Sequence, residues 1–210
     1  MAGVTSSISS EAVPRVRKRP EERRAEILDA AAAIAIDEGL ERITLRSVAE
    51  RLGVRPGLIT HYFPAAEDLV IEAFVQAAVR ERDHFFPADG TPLARLRHFV
   101  DHLRSGASAP LARMWLNARH LSRFSPTLGA ALDEQDRLDR TALIGIVQAG
   151  IDAGVFADVD AEAACTRILL AVDGSGSYAN SAGALDDPVH ARFVADVTEW
   201  TLGLERGSLG

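Results

Sequence analysis

The chain is poor in sulfur and in large rings: one cysteine, two methionines, two tryptophans and two tyrosines in 210 residues. The lone Cys165 rules out an intramolecular disulfide framework and fits a reducing compartment. No zinc signature, phosphate loop or dinucleotide fingerprint occurs, so no metal and no cofactor are expected. The longest apolar run, residues 30–36, is far shorter than the ~20 residues that cross a bilayer, and no apolar leader follows the N-terminus. These absences predict a soluble, cytoplasmic protein with no membrane partner. No alternating apolar–polar run bounded by hairpin turns occurs either, while segments of helical period dominate. The expected fold class is all-α.

Net charge is −7, which opposes binding to phosphate-rich partners. The charge is uneven, however. Residues 1–63 hold 10 basic and 9 acidic side chains, against 13 and 21 in the rest, for net charges of +1 and −8. The basic excess gathers at Arg15, Arg17, Lys18, Arg19, Arg23 and Arg24. Residues 1–19, rich in serine and small side chains before Pro20, read as a disordered basic arm. Such an arm serves either as a solubilising tail or as a contact made only on DNA.

What the sequence does contain is concentrated in residues 45–62, LRSVAERLGVRPGLITHY. Ala49 is small where a second helix must approach closely, and Gly53 sits at a turn that needs positive φ. Val48, Leu52, Val54, Ile59 and Tyr62 fall where the inner faces of two short helices would meet. This is the spacing of a helix-turn-helix. Upstream, residues 20–38 read as an amphipathic helix: Pro20 suits a first turn, Glu21 and Glu22 follow it, Ile27, Leu28, Ala31, Ile34 and Ala35 make one stripe, and Gly39 closes it. Thr44 is the natural N-cap of the next helix. With Ile59 turned to the core, Arg55, Gly57, Thr60 and His61 face outward. Arg55 carries the fork that reads a guanine edge, and Thr60 offers a hydroxyl and a methyl for a thymine. Pro56 is tolerated in the first turn, and Thr44, Arg46 and Tyr62 are read as backbone clamps.

Residues 20–70 resemble the DNA-binding domain of the tetracycline-repressor (TetR) family in ILDAAAAIAIDEGLERITLRSVAERLGV, LITHYF and the EDL of residues 67–69. The resemblance implies a homodimeric, all-helical regulator, usually a repressor, released from double-stranded operator DNA by a small-molecule effector. It divides the chain into a helix-turn-helix domain at 20–65 and an effector-binding and dimerisation domain at 66–210, with 66–81 as the linker helix. Two positions depart from the family pattern. Ala66 stands where a lysine usually approaches a phosphate, and Thr60 where a tyrosine is frequent.

Beyond the linker, the pattern breaks over residues 83–92 and then predicts helices over 92–105, 110–123, 126–154, 160–180 and 188–204, separated by turns at 106–110, 125–126, 154 and 186–188. The last two carry apolar stripes that include Val172 on one and Phe193, Val197, Trp200 and Leu204 on the other. Such stripes are ordinarily core; the resemblance makes them the dimer surface, a four-helix bundle with a second copy. Residues near Trp115, 132–156 and 160–174 also resemble the branch of the family with a BetI-like effector domain.

An effector needs a concave, mostly apolar space with a few polar groups. The residues expected to line it are Phe99, Leu103, Met114, Trp115, Asn117, Phe124, Gln148, Asp173 and Tyr178. Trp115 and Phe124 suit a flat or cationic ligand, with Asp173 as counter-charge. His98 and His102 share a helical face at i, i+4, yet without a third donor nearby they do not make a metal site. The competing class is a helical small-molecule-binding protein or enzyme that has kept the fold without binding an operator. Gly174-Ser175-Gly176-Ser177 lacks the order and the preceding strand of a nucleophile elbow, so no catalytic residue is assigned.

Overall fold

The computed structural model describes residues 19–105, 108–181 and 187–210. Residues 1–18 of the basic arm lie outside them, as do 106–107 and Asp186 of the expected turns. Among the described residues the chain forms nine α-helices, one short 3-10 turn and no strand. In order these are α1 (Pro20–Asp37), the 3-10 turn (Leu40–Arg42), α2 (Leu45–Leu52), α3 (Pro56–Tyr62), α4 (Ala66–Phe85), α5 (Pro92–Arg104), α6 (Ala109–Leu121), α7 (Pro126–Asp152), α8 (Ala161–Gly176) and α9 (Pro188–Leu202).

Local chemistry sets most helix starts. Proline opens α1, α3, α5, α7 and α9, where its missing N–H costs nothing. Side-chain oxygens of Thr44, Thr91, Ser125, Asp160 and Asp187 accept the backbone N–H of Ser47, Ala94, Leu128, Ala163 and Val189, satisfying donors that each helix leaves orphaned. At the turn after α2, Gly53 adopts φ 63° and ψ 36°, the left-handed conformation that makes glycine the natural choice there.

The linker helix is longer than its sequence pattern suggests, ending at Phe85 instead of residue 81. Tertiary contacts carry it past the polar Asp83: Arg82 pairs with Asp139 of α7, and the Phe85 ring meets Phe99 at 5.5 Å and His102 at 4.6 Å. Only the approach of Pro87 stops it. At the other end of the body, α7 and α8 stop two and four residues short of their expected ends, at Asp152 and Gly176.

Two apolar clusters hold the helices. The first runs through Ile27, Ile34, Leu40, Val48, Ile59, Phe63, Leu69 and Phe74 and continues into Met114, Ala118, Leu128 and Leu132. It therefore crosses the expected domain boundary at 65/66: α1 packs on α4 and α6, and these in turn pack on α7. The second joins Leu96, Phe99, Val100, Leu143, Ile146, Val147, Cys165, Ile168, Ala195 and Leu202 of α5, α7, α8 and α9. Phe85 packs against both.

Gly150 of α7 marks the tightest approach in the second unit, because a Cβ there would lie 2.1 Å from two ring carbons of the buried Phe156. Gly150→Ala is expected to destabilise the fold by about 1–3 kcal/mol through overpacking. A melting curve should show Tm falling by several degrees, and an unchanged Tm would mean that the Phe156 ring yields freely. No described helix is long and apolar enough to cross a membrane.

Candidate nucleic-acid interface and ligand cavity

The helix-turn-helix is fixed from inside. Val48, Ala49 and Ile59 are fully buried or nearly so, and Val54 N–H donates to the Ala49 carbonyl at 2.9 Å, closing the turn between α2 and α3. With Ile59 held inward, Arg55, Pro56, Gly57, Thr60 and His61 are all exposed on one side of α3. Arg55 is the N-cap residue of α3 and makes no ion pair among the described residues, so its guanidinium is available. Thr60 is less free than its type suggests: its hydroxyl donates to the Pro56 carbonyl at 3.2 Å, leaving the oxygen as an acceptor and the methyl outward. Thr44 is exposed but spends its oxygen on capping α2, and Arg46 is paired with Glu50 at 2.7 Å. Tyr62 is half-buried and packs on the core, with its ring edge-on to His61 at 5.1 Å.

The described part of the basic cluster is neutralised in place. Arg19 pairs with Glu22 at 2.7 Å, Arg23 with Glu26 at 2.5 Å and Arg24 with Glu72 at 2.6 Å. Arg24 also lies over the Phe63 ring at 4.7 Å. Arg24 is thus a fastener between α1 and α4 rather than part of a free positive patch.

Below this unit, α5 to α9 and the end of α4 enclose a cavity of about 730 Å³. One wall is apolar, from Phe85, Phe86, Phe99, Leu103, Trp115 and Leu169; another is charged, from Asp136, Asp139, Arg140, Arg119 and Asp173. Phe86 stacks on Phe99 at 5.3 Å, and Trp115 meets Phe74 of α4 edge-on at 5.2 Å, so one cavity ring touches the linker helix directly. Arg119 bridges Asp136 at 3.1 Å and Asp173 at 3.3 Å, tying α6 to α7 and α8. Burial raises the Asp136 carboxyl above the usual range despite Arg119, and pushes Asp139 up to about 6 against the pull of Arg82. His190 Nε2, also on the wall, is buried with no hydrogen-bond partner among the described residues.

Of the residues expected to line an effector site, Phe99, Leu103, Trp115 and Asp173 reach this cavity. The other five lie elsewhere. Met114 is buried in the first cluster, on the opposite face of α6 from Trp115's cavity side. Asn117 turns to the 3-10 turn, where its Oδ1 accepts the Leu40 N–H at 2.7 Å. Phe124 is 73% exposed beside His120, Gln148 bonds Asp152 on the outer face of α7, and Tyr178 is exposed against His190. Val172, expected at a dimer surface, lines the cavity and packs on the second cluster, and Leu204 is likewise half-buried there. Phe193 and Trp200 are exposed and Val197 is half-buried on α9.

The missed wall residues had a signal. Asp133, Asp136, Arg137 and Arg140 recur at i, i+3, i+4 and i+7, a charged stripe along one face of a long helix. Glycines 174 and 176 with Ser175 form the last turn of α8, and burial holds the Cys165 thiol at about 11, so neither resembles an activated nucleophile. His98 and His102 do find His84 nearby, with rings 5.4 and 4.5 Å away, but no three donors among the described residues are placed to hold a metal.

Comparison with known proteins agrees with the head and thins out toward the body. Residues 27–73 match the family described as bacterial regulatory proteins, tetR family. The chain is 33% identical over 123 residues to the transcriptional regulator BetI of Burkholderia thailandensis, covering 55% of this chain and 62% of that protein. It is 40% identical over 85 residues to the transcriptional repressor KstR of Mycolicibacterium smegmatis, covering 39% and 42%. These matches therefore span less than two thirds of either relative's length. A TetR transcription regulator from Haloarcula marismortui shares the fold over 87% of this chain and 97% of its own, with a TM-score of 0.70 at 22% identity.

Proposed function

We propose, from the premise that this chain is a transcriptional regulator of the tetR family, that it binds a pseudo-palindromic operator as a homodimer and leaves it when a small molecule fills the cavity under α4. The observation that carries the reading is the exposed face of α3, where Arg55, Gly57, Thr60 and His61 stand together with no competing ion pair on Arg55 among the described residues. Arg46 joins them once DNA phosphate replaces Glu50 as its partner. Two such faces bind only when they sit about one DNA turn apart, or a near multiple of it. The apolar side chains exposed on α8 and α9, Leu170, Val189, Phe193 and Trp200, support pairing through those helices.

The cavity supports the ligand-responsive half. Its size falls within the usual range for small-molecule sites, and Phe85 and the Trp115–Phe74 contact connect it to the linker helix. A ligand that favours one attitude of α4 changes the spacing of the heads; one that binds both attitudes equally changes nothing.

The test is fluorescence anisotropy with duplex DNA from upstream of the chain's own gene and of the adjacent gene, at fixed salt. Arg55→Ala removes a bidentate base contact worth about 1–3 kcal/mol, present twice in a dimer, so specific affinity is expected to fall roughly 30- to 10⁴-fold with little change in Tm. No specific complex with the wild-type chain at moderate salt, with or without cell extract metabolites, would sink the regulator reading.

A further inference from the structure

The linker helix is held on two sides by charged side chains, and the two sides differ in what they face. Toward the DNA-reading unit, Asp29 of α1 accepts from Gln76 at 2.6 Å and pairs with Arg80, while Glu72 pairs with Arg24. Toward the body, Arg82 reaches α7, where its Nε donates to Asp139 Oδ1 at 2.5 Å and its terminal nitrogen to Gln135 Oε1 at 2.7 Å. Arg82 and Asp139 are well shielded, at 15% and 24% side-chain exposure, and Gln135 is buried. Asp139 is also a wall residue of the cavity. One carboxylate therefore holds the linker helix and faces the space where a ligand would sit.

We infer that Arg82 is a positioning residue of the regulatory response, and that Asp139 is the point at which the contents of the cavity decide whether Arg82 stays bound to α7. The inference rests on the regulator reading and specifies how its two halves communicate. Anything that removes or diverts the Asp139 charge, a proton or a polar group of a ligand, leaves Arg82 without its counter-ion. The last turn of α4 then loses its hold on α7, while Asp29 on Gln76 and Arg80, and Arg24 on Glu72, keep the preceding turns of α4 fixed to α1. The helix pivots with the DNA-reading unit instead of with the body.

The electrostatic surroundings make this pair responsive near neutrality. Around Arg82 and Asp139 stand Glu81 on α4, itself bonded to His102 of α5 at 2.9 Å, and Glu134, Asp136 and Arg140 on α7. Arg119 of α6 and Asp173 of α8 act through Asp136. Burial is the largest influence on Asp139, Arg82 opposes it, and Asp136 and Glu81 add to it, leaving the carboxyl at about 6. The proton can thus serve as the probe before any ligand is known.

The experiment is hydrogen exchange of the full chain at pH 7.5 and 5.0, corrected for intrinsic exchange rates, with residues 80–86 as reporter and residues 27–35 as control. Protection of the reporter is expected to fall on the order of ten-fold at the lower pH while the control holds. Asp139→Asn should give low reporter protection at both values, Arg82→Gln likewise, and His102→Gln should keep the wild-type step. An unchanged wild-type reporter overturns the inference with no variant needed. So does a wild-type step that persists in Asp139→Asn or vanishes in His102→Gln. DNA binding measured on the same samples separates the two readings. A reporter step without any DNA complex sinks the regulator reading; DNA binding without the step sinks the Arg82–Asp139 coupling alone.

Discussion

On the proposed pairing through α8 and α9, replacing Phe193 and Trp200 with glutamate is expected to leave a folded monomer and to remove most of the proposed operator affinity. Trp200 is 75% exposed, Val189 74%, Leu170 66% and Phe193 44%, on two helices that pack against each other. Val189, Phe193, Val197 and Trp200 recur at i, i+4, i+8 and i+11, so they form one stripe along α9. Large apolar side chains grouped in this way mark an interaction surface, whereas scattered ones need no explanation. A twofold axis between the α8–α9 pairs lets the same stripe meet itself, and burying two carboxylates per copy there opposes association. Because two linked heads bind DNA about 10²–10⁴-fold more tightly than one, the double variant should lose that factor while Tm changes little. Sedimentation velocity and anisotropy check the two halves. A variant that remains dimeric places the interface elsewhere, and a monomer with wild-type affinity shows that pairing does not serve recognition.

How far the sequence can be read depends on the range of the interaction that fixes each feature. Helix starts at Thr44, Thr91, Ser125 and Asp160 are set by a side chain and a backbone N–H three residues away, so they are visible in the chain itself. The turn at Gly53 is equally local. The end of α4 is not: Asp83 and Pro87 suggest a break, yet Arg82 and Phe85 hold the helix through partners in α5 and α7 that no window of sequence contains. The cavity shows the same limit. Trp115, Phe99, Leu103 and Asp173 reach it, but α6 has apolar residues on two sides, and periodicity cannot say which side Met114 or Asn117 faces. Charge alone assigns Arg119, Asp136 and Asp139 to solvent, where charged residues on a helix ordinarily belong. Here Arg119 pairs with Asp136 and Asp173, and Asp139 with Arg82, and that pairing is what permits them to be half-buried. The described half of the basic cluster, Arg19, Arg23 and Arg24, shows the complementary case. Counting charges finds an excess, while Glu22, Glu26 and Glu72 cancel it in space.

Removing the carboxylate of Glu199 is expected to have a large effect on stability. Glu199 is 3% exposed and satisfies four contacts at once: the N–H groups of Gly207 at 3.0 Å and Leu209 at 2.8 Å, and both sides of its carboxylate to Arg192 at 2.9 and 3.1 Å. It therefore pins the chain after α9 back onto that helix, and Leu209, 1% exposed, is drawn into the second core. Glu199→Ala leaves buried N–H groups and one face of Arg192 without their acceptor, a loss of about 3–5 kcal/mol by analogy with broken buried pairs. For a chain of this size that lowers Tm by roughly 6–20 °C. The pH dependence identifies the cause. Burial pushes the Glu199 carboxyl upward, but the Gly207 and Leu209 N–H groups and Arg192 outweigh it and hold the carboxyl below its ordinary value. A depressed carboxyl stabilises the fold above its unfolded pKa of about 4.3 and loses that contribution as pH falls through the lower folded value. The gap between wild type and variant in urea unfolding should thus be widest near neutral pH and narrow below about pH 4. A gap that stays constant with pH would assign the loss to packing alone. Because Trp200 is the next residue on α9, the same variant should also weaken the proposed association between copies.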